Sequence, residues 1–67
     1  MIRDNRTEIK RNIFEIYDTT RTLWNDFYNS KDGNYTNDEI KALFVCVITL
    51  LRQAEELKEE IKRHIEF

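Results

Sequence analysis

Apolar side chains recur at an alternating spacing of three and four residues through most of the C-terminal half of the chain. This spacing places them on one side of an α-helix, and four successive heptads of it are typical of a helix that packs lengthwise against another helix. The positions are Ile40, Leu43, Val47, Leu50, Ala54, Leu57, Ile61 and His64. The pattern predicts a helix over about residues 37–66.

The N-terminal half carries a second stripe of the same period. Its members are Ile2, Ile9, Ile13, Ile16, Thr20, Leu23 and Phe27. Only Arg6 and Thr20 interrupt the stripe with polar groups. We therefore predict a first helix over about residues 4–30.

A short polar segment separates the two stripes. Asp32-Gly33 is a chain-reversal signal, and Gly33 suits the left-handed conformation that often ends a helix. Thr36 and Glu39 have the spacing of a capping box, and Tyr35 and Ile40 occupy the two positions of a hydrophobic staple. The sequence predicts a single all-α domain over residues 1–67: a helical hairpin of two long antiparallel helices joined by a turn at about residues 31–36.

Each helix has a second set of apolar side chains, about 100° around the helix from the first. In the first helix these positions hold Phe14, Tyr17, Arg21, Trp24 and Tyr28; in the second they hold Phe44, Ile48 and Leu51, and Lys10, Lys58 and Lys62 continue the two sets. One partner helix cannot cover both sets. We expect these eight aromatic, aliphatic and arginine side chains to bind a partner, either a second copy in a four-helix bundle or another protein. The alternative is that the aromatic rings wrap around the helix contact as core.

Composition restricts the classes of partner. The net charge of −2 gives no general attraction to nucleic acid or to anionic membranes. The longest apolar run, residues 42–51, is about half of the roughly 20 residues that a membrane span needs. The first ten residues lack the apolar stretch of a secretory signal, and the chain has one cysteine. These features predict a soluble, cytoplasmic protein that does not enter a membrane.

Two acidic segments resemble metal sites only in part. An EF-hand loop with Gly33 at its sixth position would have Tyr28 where the first carboxylate is required. The capping box accounts for Thr36 and Glu39 without a metal ion. Glu55, Glu56 and Glu59 have an E-E-x-x-E spacing that resembles the Mg²⁺ site of all-α nucleotide pyrophosphohydrolases. Those proteins also need an E-x-x-D motif on a following helix, and this sequence has no such helix after Glu59. Ion pairs along a solvated helix face explain these glutamates better.

The remaining reactive side chains do not form a pattern with known chemistry. Glu60 and His64 are four residues apart and occur once, unlike the paired Glu-x-x-His motifs of di-iron bundles. Cys46 lies in the apolar run, where a thiol behaves as a small hydrophobic group. We predict no catalytic residue, no cofactor and no metal ion.

Nucleic acid is an alternative partner. Basic residues alternate with aromatic residues along the first helix, at Arg3, Arg6, Lys10, Arg11 and Arg21. Asp4, Glu8, Glu15 and Asp18 nearly cancel that charge, whereas a dedicated nucleic-acid-binding surface has a net basic stripe.

These features favour a non-enzymatic protein–protein interaction module. Abundant Ile, Asn, Lys, Phe and Tyr follow AT-rich codons and suggest a low-GC bacterium, a phage or a mobile element. We therefore expect a small regulator or inhibitor, for example an anti-defence protein, that acts by covering a surface of another macromolecule.

Overall fold

The structure, a computed structural model, describes residues 6–65 and is an all-α hairpin, as the sequence predicts. Helix α1 spans Arg6–Thr22 and continues without a break into a π-helical segment, Leu23–Asn29. Helix α2 spans Asn37–Ile65 and packs antiparallel to both. The predicted helix positions 4, 5 and 66, and the stripe position Ile2, lie outside the described residues.

The π-helical segment was not predicted, and side-chain hydroxyls near its two ends give a physical reason for it. The Thr20 hydroxyl donates to the carbonyl oxygen of Tyr17 at 2.8 Å, and the Ser30 hydroxyl donates to the carbonyl oxygen of Asp26 at 2.8 Å. Such bonds compete with the regular backbone ladder of an α-helix. They therefore favour a local change of helix type close to the turn.

The turn has the left-handed glycine and the capping box that its sequence predicts. Gly33 has a φ of 102°, and the Asn34 amide donates to a carboxylate oxygen of Asp32 at 3.2 Å. The capping box is formed in both directions: the Thr36 amide donates to Glu39 Oε1 at 2.9 Å, and the Glu39 amide donates to Thr36 Oγ1 at 3.2 Å. These bonds satisfy two amides at the start of α2 that lack helical partners.

The contact between the helices agrees only in part with the predicted stripes. On α1 and the π-helical segment, the predicted residues Ile9, Ile16, Thr20, Leu23 and Phe27 are half-buried; on α2 the half-buried predicted residues are Leu43, Leu50 and Leu57. Five predicted stripe residues are instead exposed on α2, namely Ile40, Val47, Ala54, Ile61 and His64, as is Ile13 on α1. The prediction was wrong for these six positions.

One thiol and two polar residues take the place of the exposed stripe residues in the helix contact. Cys46 and Gln53 are half-buried on α2 and Glu60 is buried, so α2 is rotated from the predicted orientation. The Thr19 hydroxyl donates to Gln53 Oε1 across the contact at 2.6 Å. The apolar arc of α2 is wider than one neighbouring helix, and α1 covers the edge of the arc that carries this polar contact.

The capping box predicts the effect of a substitution at Thr36. Thr36→Ala removes the side-chain acceptor for the Glu39 amide and should lower the free energy of unfolding by about 1 kcal/mol. Chemical denaturation measures the change. Thr22→Ala is the matched control, because the exposed Thr22 makes no side-chain cap. Equal losses from the two variants would contradict a stabilising role for the capping box.

Candidate interaction surface

One broad side of the hairpin is apolar. Each of its residues comes one position later in the sequence than a half-buried residue of the helix contact, as Phe44 comes after Leu43. One position corresponds to about 100° of rotation around the helix. Because a local two-fold axis relates two antiparallel helices, equal rotations on the two helices bring the side chains to the same side of the hairpin. We define the apolar face as Ile13, Tyr17, Trp24, Tyr28, Ile40, Phe44, Val47 and Leu51. Phe14 and Ile48 lie at its outer edges.

The structure exposes all eight side chains that the sequence analysis selected for partner binding. The seven hydrophobic ones are between 47% and 65% exposed: Phe14, Tyr17, Trp24, Tyr28, Phe44, Ile48 and Leu51. Arg21 is also exposed. No hydrophobic side chain among the described residues is fully buried, so the hairpin has no closed core of its own. The aromatic rings therefore do not act as its core.

Two aromatic pairs organise the α1 side of this surface. Trp24 and Tyr28 are stacked, with ring centroids 4.3 Å apart and planes 26° apart. Phe14 and Tyr17 are tilted, with centroids 6.4 Å apart. Contact between neighbouring rings restricts their rotamers, so a partner would have less side-chain entropy to remove on binding.

Sequence reasoning missed three members of the apolar face. Their helical spacing predicts Ile13, Ile40 and Val47 in the helix contact, but these side chains are 52%, 52% and 37% exposed. Period alone could not separate them from the true contact residues, since both sets have helical spacing. The only local signal was the pair of polar residues at Gln53 and Glu60, which have the same spacing as the half-buried leucines.

The opposite side of the hairpin is a charged groove of about 430 Å³. It is lined by Glu8, Arg11, Asn12, Arg52, Glu55, Glu56, Glu59, Glu60 and Arg63. Ion pairs join Arg11 to Glu8 at 2.5 Å and Arg63 to the buried Glu60. The groove therefore mixes both signs of charge, in contrast to the apolar face.

The E-E-x-x-E segment lies along this groove. Glu55 forms an ion pair with Lys58 at 3.6 Å, and both side chains are more than half exposed, as expected for a solvated helix face. Within residues 6–65, no group of three His, Cys, Asp or Glu side chains is arranged to hold a metal ion. His64 is the last residue of the stripe predicted on the second helix. It is exposed because the helix contact runs through Glu60 instead.

The turn ties the two halves of the apolar face together. Lys31 forms an ion pair with Glu39, and the Tyr35 hydroxyl donates to the carbonyl oxygen of Phe27. The Lys31 ammonium and the Thr36 amide lower the pKa of Glu39 to about 2, and the Glu39 carboxylate raises the pKa of Lys31. The side chains of Thr36 and Glu39 are thus occupied as caps rather than as ligands of an EF-hand loop.

Comparison with known proteins gives no relative for this chain: no family model, curated protein or solved structure matches it. No helix within residues 6–65 has both the length and the apolarity that spanning a membrane requires.

The pKa of Glu39 predicts an acid dependence of stability. The pKa is lowered on folding from 4.5 to about 2, so the ionised carboxylate stabilises the fold fully above pH 4.5. That stabilisation is lost as the pH falls from 4.5 toward 2. Glu39→Gln should therefore lower the thermal midpoint at pH 7, and the gap to the unaltered protein should narrow toward pH 2.

Thermal unfolding followed by circular dichroism at pH 7, 4 and 2 measures this gap. Glu55→Gln is the matched control, because its ion pair is exposed and contributes little. A gap for Glu39→Gln that stays constant between pH 7 and pH 2 would contradict the role assigned to the Lys31–Glu39 pair.

Proposed function

We propose that the protein is a non-enzymatic protein–protein interaction module that binds through its apolar face. The observation that carries this proposal is the placement of eight exposed apolar side chains on one side of the hairpin, opposite a charged groove. A contiguous apolar surface on a small protein is typical of an interface. Aromatic and arginine side chains, such as Trp24, Tyr28 and Arg21, are the usual anchors of protein interfaces.

The proposed role is that of a small regulator or inhibitor that covers a functional surface of another macromolecule. The hairpin is narrow, with Cα extents of 52, 18 and 15 Å. A rod of this shape can lie along a groove or form one layer of a helical bundle. The AT-rich residue usage favours a phage or a mobile element as its source, and an anti-defence inhibitor is one concrete form of this role.

Nucleic acid is the second candidate partner, favoured by the exposed Arg21 beside the exposed rings of Tyr17 and Trp24. Bases can stack on aromatic rings while arginine contacts the backbone. A salt titration separates the two proposals. Binding to phosphates weakens steeply with salt concentration, whereas binding through apolar contacts does not.

Photo-crosslinking tests whether the apolar face is an interface. A benzophenone amino acid replaces Phe44 on the apolar face or, as the matched control, Glu56 in the charged groove. After irradiation in the cells that naturally make the protein, Phe44 should give a discrete adduct, and Glu56 should not. Equal labelling from the two positions, or none from Phe44, would contradict the proposal.

Trp24 should be one of the anchors of the interface. Trp24→Ala removes one ring of the stacked pair and should weaken binding to the partner captured at Phe44 by about 2 kcal/mol, which is roughly 30-fold. Isothermal titration calorimetry measures the change, with Glu56→Ala as the control. Unchanged affinity for Trp24→Ala would remove Trp24 from the binding surface.

A further inference from the structure

We propose that the apolar face is covered by a second copy of the chain in the reversed orientation, so that the turn of each hairpin lies over the open end of the other. This inference rests on the proposed interaction role of the apolar face and names a second copy as its partner; another macromolecule would then be bound through the charged outer sides of the bundle. The product is a four-helix bundle with one two-fold axis perpendicular to the helices. Three observations support it.

The first is the exposed area. The chain has an accessible surface of 5840 Å², whereas a compact monomer of its mass, 8.2 kDa, exposes about 4500 Å². The excess is about 1300 Å², and a standard interface buries about 800 Å² on each partner. The exposed excess is thus larger than the area that one partner buries in a standard interface, so the hairpin has enough surplus surface to form one.

The second is the lack of a closed hydrophobic core. No hydrophobic side chain among the described residues is fully buried, although a folded domain of this size needs a core or a partner. A partner required for folding must be present whenever the chain is made. A second copy meets this condition without any other gene product.

The third is the distribution of charge, which selects the orientation. The eight residues of the apolar face are uncharged, so two such faces can meet without repulsion. Lys10, Lys58 and Lys62 extend the face at the open end, and within residues 6–65 only Lys58 of these three has a counter-charge, the exposed Glu55. Two hairpins in the same orientation would bring these lysines together.

Reversal separates the two lysine groups and moves each one to the turn of the other hairpin. The turn end carries exposed carboxylates at Asp32 and Asp38. Of its two lysines, Lys31 is paired with Glu39, and the exposed Lys41 lies one position, or about 100°, beyond Ile40 on the side away from the helix contact. Ile40 and Lys58 are about 27 Å apart along α2 at 1.5 Å per residue. A two-fold axis near residue 49 places Ile40 of one copy beside Lys58 of the other.

The first test is the mass in solution, by light scattering on a sizing column over a hundredfold range of concentration. We expect the mass of two chains, which is twice the 8.2 kDa of one chain. Leu51→Glu places a charge near the two-fold axis and should lower the mass to that of one chain. Glu56→Lys in the charged groove is the control and should leave the mass of two chains. A folded protein with the mass of a single chain at every concentration would overturn the proposal.

The second test does not depend on a folded Leu51→Glu variant. Ile40→Cys and Lys58→Cys are made separately in a Cys46→Ala background, mixed, unfolded, refolded and treated with a short bismaleimide. The reversed orientation predicts conjugates of residue 40 with residue 58, identified by mass spectrometry. Conjugates of 40 with 40 and of 58 with 58 would overturn the proposed orientation.

The photo-crosslink at Phe44 distinguishes failure of this inference from failure of the proposed function. An adduct with a second copy, at the mass of two chains, supports the inference. The mass of a single chain in solution, with an adduct to a different protein, overturns the second copy but leaves the interaction role in place. The mass of a single chain with no adduct contradicts both.

Discussion

Two helices that pack side by side touch along a single line, and this geometric limit determines most features of the hairpin. Each helix can bury only the side chains near that line, which here are half-buried rather than enclosed. A chain that fixes about 60 residues in this way loses roughly 1.5 kcal/mol of conformational entropy per residue. One line of contact returns little of that free energy, and the side chains of the apolar face remain exposed.

The contact line between the helices is partly polar. It contains the Thr19–Gln53 hydrogen bond and the buried Glu60, while Val47 and Ile40 remain on the surface. A polar contact has strict geometry, and it therefore fixes the rotation of α2 against α1 more sharply than leucines alone. The consequence is that the wider part of the apolar arc of α2 points to the same side as the aromatic rings of α1.

Contacts in the turn hold α1 and α2 at a fixed position relative to each other along the hairpin. The capping box starts α2 at a fixed residue, and Lys31 and Tyr35 link the turn to Glu39 and to the carbonyl oxygen of Phe27. The ends of both helices are thus held in one register. Because the rings of Trp24 and Tyr28 lie within about two helical turns of this point, the turn also positions the aromatic part of the apolar face.

The local order of residues specifies the helical hairpin, the capping box, the left-handed Gly33 and a surplus of apolar side chains. All of these depend on local spacing or on contacts within a few residues, which the order of amino acids specifies directly. It did not determine which part of each apolar arc faces the other helix. Ile13, Ile40 and Val47 have the helical spacing expected of contact residues but are exposed, whereas Thr19 and Gln53, 34 residues apart, form a hydrogen bond across the contact. The tertiary structure decided the rotation of the helices because it depends on pairing across the hairpin, and that rotation decides which side chains form the candidate interaction surface.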